Sequence, residues 1–378
     1  MKRLGLVMGI LGLGLVAGCG DDSTVSFSGG NTASTSGAGG EGTGGNGTGG
    51  TMGNGGSTGT TMTSSSSSSS TGAGGGGQMD VHDPNIDGPY TFKEIDDPNF
   101  TVPATNVKEA IHCAYPTGGP SAGPYPVVIV AHGFQLAPSQ YYGYVKRLAS
   151  FGYVALTMDF PTSFAGVNNT DAAKNVAAAL DWVAGKPELM GNVNLAGATG
   201  HSLGGKLAMH TAVTDARVKA SIVLDPVDGA PGNPLNPNPA CNLPECIDVS
   251  AELPINKPTG FVGETLDSTA GGFGQACAPA AENFLTFYAK TTAPSLAVTV
   301  NGANHMSFLD DVSSCGFACS ACKMATLDNK TVNDMSKAFV VAFYERYLRG
   351  NTGYDTYLTG AQAQARYVAN GQAKIESK

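Results

Sequence analysis

The sequence predicts an α/β fold in which a mostly parallel central sheet is covered by helices on both faces. Three observations predict it. Short apolar runs rich in Val, Ile and Leu recur at 126–132, 153–159, 193–199, 220–225, 259–263 and 295–300. Helical spacing falls at 141–151, 171–184 and 206–213, and an amphipathic stretch at 335–348 closes the series. Uninterrupted apolar runs are the pattern of strands buried on both faces, and strands alternating with helices pair in parallel.

Before these elements lie two segments of another kind. Lys2 and Arg3 precede an uncharged apolar run from Leu4 to Ala17, shorter than the roughly 20 residues that span a bilayer, as in a signal peptide. It ends Val16-Ala17-Gly18-Cys19, which resembles a bacterial lipobox. The resemblance implies lipidation of Cys19, with export to the bacterial cell envelope, at the outer membrane. Residues 20–78 are almost entirely Gly, Ser, Thr, Asn and Ala, a composition that cannot offset its ordering entropy by burying apolar surface. A coil of that length reaches about 40 Å. The reading is thus a leader at 1–19, a tether at 20–78 and a folded domain at 79–378.

The net charge of −9 and the lack of a basic run argue against nucleic acid or an anionic lipid surface as partner. The expected membrane contact is the N-terminal lipid alone. Besides Cys19 there are Cys113, Cys241, Cys246, Cys277, Cys315, Cys319 and Cys322, which in an exported chain read as disulfides with one left over. The Cys315-x3-Cys319-x2-Cys322 spacing also matches iron–sulfur and zinc patterns, but export favours bridges that brace the neighbouring loop.

A sheet of this kind places its ligand site outside the carboxyl ends of its strands. Gly-x-Ser-x-Gly occurs there as Gly200-His201-Ser202-Leu203-Gly204, between an apolar strand and a helix, as a nucleophile elbow requires. A second copy around Ser57 lies within the tether and lacks that context. A serine hydroxyl needs an adjacent base. Of six histidines, His82 adjoins the tether, His112 and His132 flank the first central strand, and His201 is the elbow's own variable position. His210 lies two helical turns beyond Ser202, about 12 Å along the axis. His305 follows the last β-like run and fits the chain order nucleophile, acid, histidine.

The third group must be a carboxylate that accepts from the imidazole and stabilises its charged form. Asp225 ends one strand and Asp267 follows the next, and spacing leaves both open. For an oxyanion, the N–H of Leu203 needs a second donor, which the His132-Gly133-Phe134 loop offers at Phe134. Such an acyl-enzyme mechanism requires no cofactor. Leu203 and Phe134 beside the serine point to a hydrophobic ester, small or polymeric, as substrate.

With these residues in place, the stretch from about 88 to 350 resembles the chlorophyllase and bacterial polyesterase branch of the α/β-hydrolases. His132-Gly133-Phe134, Arg147-Leu148-Ala149-Ser150, Phe151-Gly152-Tyr153 and Gly200–Gly205 carry it. Leu224-Asp225-Pro226-Val227-Asp228-Gly229, Cys277-Ala278-Pro279 and the run His305–Asp311 are similar to chlorophyllases, which implies Asp225 as the acid. Gly263-Glu264-Thr265-Leu266-Asp267 is similar to the cutinase-like polyesterases, which implies Asp267. The resemblance implies an α/β-hydrolase fold and a serine carboxylic-ester hydrolase, with a polyester hydrolase as the alternative. Leu203 stands where plant chlorophyllases have Arg, and Val227 where polyesterases commonly have Trp. Trp182 falls in the alanine-rich helix and reads as packing. A catalytically inactive binding module and an acyltransferase remain as rival readings.

Asp83-x-Asn85-x-Asp87-Gly88 with Glu94 matches a calcium-loop pattern. A glycine run precedes it where a helix belongs, Pro84 and Pro89 constrain it, and Tyr90-Thr91-Phe92 reads as the first strand, so no metal is assigned.

Overall fold

The computed structural model describes residues 80–378, apart from 163–166, 230–245, 272–273 and 275. The leader, Cys19, the tether, Ser57 and Cys241 lie outside the described residues. Among these, one nine-stranded sheet runs in the order β1-β2-β4-β3-β5-β6-β7-β8-β9. The strands are β1 (Thr91–Thr101), β2 (Lys108–Gly118), β3 (Tyr125–Ala131), β4 (Val154–Met158), β5 (Gly191–Gly200), β6 (Val218–Leu224), β7 (Thr259–Glu264), β8 (Ser295–Val300) and β9 (Ala373–Ser377). Pairing from β4 across to β8 is parallel. The β1–β2, β2–β4 and β8–β9 pairs are antiparallel. The chain therefore has an α/β-hydrolase type of sheet, with antiparallel strands at both edges.

Five helices are used below: α1 (Tyr142–Ser150), α2 (Asn169–Ala184), α3 (Leu203–Thr214), α4 (Phe284–Lys290) and α5 (Asn329–Tyr347). β3 explains why both faces must be covered. All seven of its residues are buried. Val128 and Val130 enter a core with Tyr144, Val145 and Leu148 of α1 and with Phe339 and Phe343 of α5. Val127 and Ile129 enter the opposite core, with Leu180 of α2, Leu207 of α3 and Phe287 of α4. Each such side chain contributes about 1.5–3 kcal/mol by leaving water, and exposure of either face would forfeit that gain.

Helix ends follow side-chain capping. Asn168 accepts the N–H of Asp171 at 3.0 Å to start α2. Asp328 accepts the N–H of Thr331 at 2.9 Å to start α5, six residues before the expected 335, because the polar first turns carry a cap but little apolar periodicity. The β1–β2 hairpin extends well beyond Tyr90-Thr91-Phe92, and β9 was not legible at all.

The carboxylates of the calcium-like pattern face cations of the chain itself. Asp83 takes two bonds from Arg366, at 3.1 and 2.7 Å, and Asp87 accepts from Arg147 at 3.0 Å. Glu94 pairs with Lys146 at 3.2 Å. The segment thus clasps α1 and the C-terminal region. Trp182 is buried, and its indole N–H donates to Asp97 at 2.9 Å, so it packs α2 against the sheet.

Candidate active site

The site begins with the glycines around Ser202. A Cβ on Gly204 would lie 2.3 Å from the main-chain oxygens of both Ala131 and His132. One on Gly200 would lie 2.3 Å from the oxygen of Gly204. Only hydrogen at these positions lets α3 start directly against β5 and the end of β3. In the tight turn that results, Ser202 has φ 57° and ψ −122°. A non-glycine residue held there stores about 1–3 kcal/mol of strain, and its surroundings hold it. The N–H of His201 bonds the oxygen of Ala131 at 3.1 Å, and that of Ser202 bonds the oxygen of Leu224 at 3.0 Å, tying the turn to β3 and β6.

His305 follows β8 and opens a short 3₁₀ turn, His305–Phe308. Its Nε2 lies 2.9 Å from Ser202 Oγ and its Nδ1 lies 2.6 Å from Asp225 Oδ2. Asp225 is the residue after β6 and is fully buried. Burial pushes its carboxyl above the usual range, opposed by the hydrogen bond and charge of His305. A carboxylate that donates nothing must accept from Nδ1–H, which leaves the Nε2 lone pair for the serine proton.

Asp267 is equally buried but meets a different part of His305. Its Oδ2 accepts the main-chain N–H of His305 at 2.8 Å, and its Oδ1 accepts the N–H of Lys323 at 2.8 Å. Its own N–H bonds Glu264 at 2.9 Å. Glu264 ends β7, and burial, followed by the nearby charge of Asp225, pushes its carboxyl up to about 8. The two aspartates left open by spacing thus separate: Asp225 holds the ring and Asp267 the main chain.

The loop after β3 is fixed by His132. Its Nδ1 lies 2.9 Å from the oxygen of Gly133, which only accepts, and its Nε2 lies 3.2 Å from both the N–H of Phe160 and Asp159 Oδ1. The ring stacks on Phe160 at 3.8 Å. Phe134, half-buried, follows Gly133 in this loop, and the N–H of Leu203 opens α3 with no preceding turn to bond.

Cys277 and Cys322 form a disulfide, as do Cys315 and Cys319, and Cys113 is buried and free. Cys322 adjoins Lys323, so one bridge braces the loop that Asp267 binds. Asp267, Cys277 and Cys322 converge as ligand-type side chains, but the sulfurs bond each other and both Asp267 oxygens already accept N–H groups. His210 is occupied elsewhere, 2.7 Å from Glu252. Sequence reasoning passed over two residues packed around the site, His201 and Tyr141. Neither has a motif that marks its role, and only the His in the elbow's variable position was visible.

Chlorophyllase-2 of Arabidopsis thaliana is 27% identical over 203 residues, covering 50% of this chain and 62% of that protein. Chlorophyllase-1 of the same plant is 30% identical over 248 residues, 61% of this chain and 74% of its own length. A bis(hydroxyethyl) terephthalate hydrolase of Streptomyces coelicolor is 29% identical over 179 residues, 41% of this chain and 56% of its own. The match thus spans less than two thirds of the first and third of these relatives. The family profile described as Chlorophyllase matches residues 87–366. With that span and this sheet, the chain belongs to the chlorophyllase family of α/β-hydrolases.

Proposed function

We propose that the protein is a serine carboxylic-ester hydrolase that works through an acyl-enzyme on hydrophobic esters. The observation that carries this reading is the unbroken line from Asp225 through His305 to Ser202, with contacts of 2.6 and 2.9 Å. Ser202 Oγ attacks the ester carbonyl as His305 Nε2 takes its proton. Asp225 stabilises the imidazolium. The N–H groups of Leu203 and Phe134 receive the negative oxygen of the tetrahedral intermediate. His305 then returns the proton to the leaving alcohol, and water, activated by the same ring, releases the acid.

The names of the relatives support ester chemistry, and the terephthalate hydrolase supports an aromatic or polyester substrate as the second reading. Phe134, half-buried on the loop after β3, supports an apolar acyl or alcohol group, whereas the side chain of Leu203 packs into the core and only its N–H is offered to the site. The test is hydrolysis of p-nitrophenyl esters from acetate to palmitate, and of bis(hydroxyethyl) terephthalate, beside Ser202→Ala. Loss of turnover and of fluorophosphonate labelling in a folded variant is the expected result. Turnover that survives Ser202→Ala would exclude the mechanism. Absence of turnover in the wild type would favour the binding module, and faster ester consumption with added glycerol would favour the acyltransferase.

We also propose export and lipid anchoring through Cys19, with residues 20–78 as a tether. Metabolic labelling with a palmitate analogue, lost in Cys19→Ala, is the expected signature.

A further inference from the structure

We propose that His201, the residue before the nucleophile, is a positioning residue that locks the proton-shuttling histidine and the oxyanion loop to the elbow. This rests on the serine-hydrolase reading above.

His201 is fully buried and cannot meet substrate. Its Nδ1 lies 2.8 Å from the hydroxyl of Tyr141, and its Nε2 lies 2.8 Å from the main-chain oxygen of His305. Proton accounting orients the chain. A carbonyl oxygen only accepts, so Nε2 carries hydrogen and donates to His305. The Tyr141 oxygen already accepts the N–H of Gly133 at 3.2 Å, so its own hydrogen is free to go to the Nδ1 lone pair. The result is one directed line, Gly133 N–H to Tyr141, Tyr141 O–H to His201, and His201 N–H to His305. Burial holds the imidazole neutral, which this line requires. Tyr141 is fully buried as well, with its phenol pushed up by desolvation, so it keeps the proton it donates.

The consequence for His305 is that every hydrogen-bonding group it has is committed. Asp267 holds its N–H, His201 its C=O, Asp225 its Nδ1 and Ser202 its Nε2. At the other end, Gly133 immediately precedes Phe134. A Cβ on Gly133 would lie 3.2 Å from both His201 Nδ1 and the Tyr141 oxygen, so the loop seats directly on this pair. One buried ring therefore sets the relative position of the group that moves the proton and the loop that receives the oxyanion. A displacement of about 1 Å between such groups can cost 10²-fold.

Three substitutions separate the two bonds. His201→Phe keeps an aromatic ring and loses both. His201→Gln carries an N–H near Nε2 and keeps only the bond to His305. His201→Asn carries an oxygen near Nδ1 and keeps only the bond to Tyr141. The expected result for His201→Phe is a fall in kcat of about 100-fold with KM within threefold, and an equal loss of affinity for a boronic-acid transition-state analogue. His201→Gln is expected to recover at least tenfold of the lost kcat, and His201→Asn less. Tyr141→Phe, which frees Gly133, is expected to lower kcat about tenfold and to be non-additive with His201→Phe.

The proposal is overturned if His201→Phe retains kcat within threefold. It is equally overturned if KM rises with kcat unchanged, or if Gln recovers no more than Phe with an unchanged melting temperature. Should His201→Phe fail to fold, the Gln, Asn and Tyr141→Phe variants decide by the same readouts. If the wild type is neither active nor labelled by a fluorophosphonate, the underlying reading has failed and takes this one with it.

Discussion

Replacing Asp225 and Asp267 one at a time with asparagine tests the assignment of the acid by magnitude. Asp225 is fully buried and meets His305 Nδ1 at 2.6 Å, so no water can substitute for the lost charge. In Asp225→Asn, an amide NH₂ facing Nδ1 would force the ring proton onto Nε2, where it blocks acceptance from Ser202. A change of this kind costs about 10⁴ in kcat, or about 5.4 kcal/mol. Asp267 uses its oxygens on two main-chain N–H groups, at 2.8 Å each. Asparagine can accept only one, which leaves a buried N–H against an NH₂. That costs about 1–3 kcal/mol of stability, and the resulting shift of His305 costs about 10- to 100-fold in kcat. The expected gap between the variants is therefore at least 100-fold. It is read from p-nitrophenyl butyrate turnover, with urea unfolding to report stability. An Asp267→Asn enzyme as inactive as Asp225→Asn, at unchanged stability, would refute the reasoning and make Asp267 the acid.

Further outcomes follow from particular contacts. Gly204→Ala would put a methyl 2.3 Å from the main-chain oxygens of Ala131, which ends β3, and of His132, which follows it, neither at the end of a flexible side chain. A loss of roughly 3 kcal/mol, with kcat down more than 100-fold, is expected by thermal melting and ester assay, whereas a near-native enzyme would show that the elbow is not so tightly packed. Cys277→Ser with Cys322→Ser opens a bridge between residues 45 apart, so urea unfolding should show a loss of about 4 kcal/mol, and a loss below 1 kcal/mol would count against the bridge. Glu264 is held near 8 in the folded protein but titrates near 4.3 when unfolded. Between those values the folded state binds the extra proton, so this group's contribution to stability is present at low pH and is lost as pH rises through 8. Glu264→Gln is expected to flatten that decline, with the variant gaining on the wild type from pH 5 to pH 9, and parallel curves would refute it.

How much of this was legible in sequence depended on whether local pattern or pairing carried the information. The buried central strands were readable because burial on both faces leaves an uninterrupted apolar run, as at β3. The edge strands were not. β1 alternates exposed and half-buried residues, and β9 has one fully buried residue in five, so each becomes a strand only by pairing with its neighbour. The same limit governs α5, whose early turns are held by the Asp328 cap rather than by an apolar stripe.

The sequence by itself determined the elbow at Ser202, the histidine loop at His305 and the shortlist of two aspartates, because each depends on residue type at a fixed place relative to a strand end. Tertiary structure alone decided which aspartate meets the imidazole ring. Asp225 and Asp267 follow adjacent parallel strands, and only their three-dimensional placement sends one carboxylate to Nδ1 and the other to the main chain. It also decided what His201 meets, since the partners of this buried imidazole, Tyr141 and the carbonyl of His305, lie 60 and 104 residues away and leave no trace in local spacing.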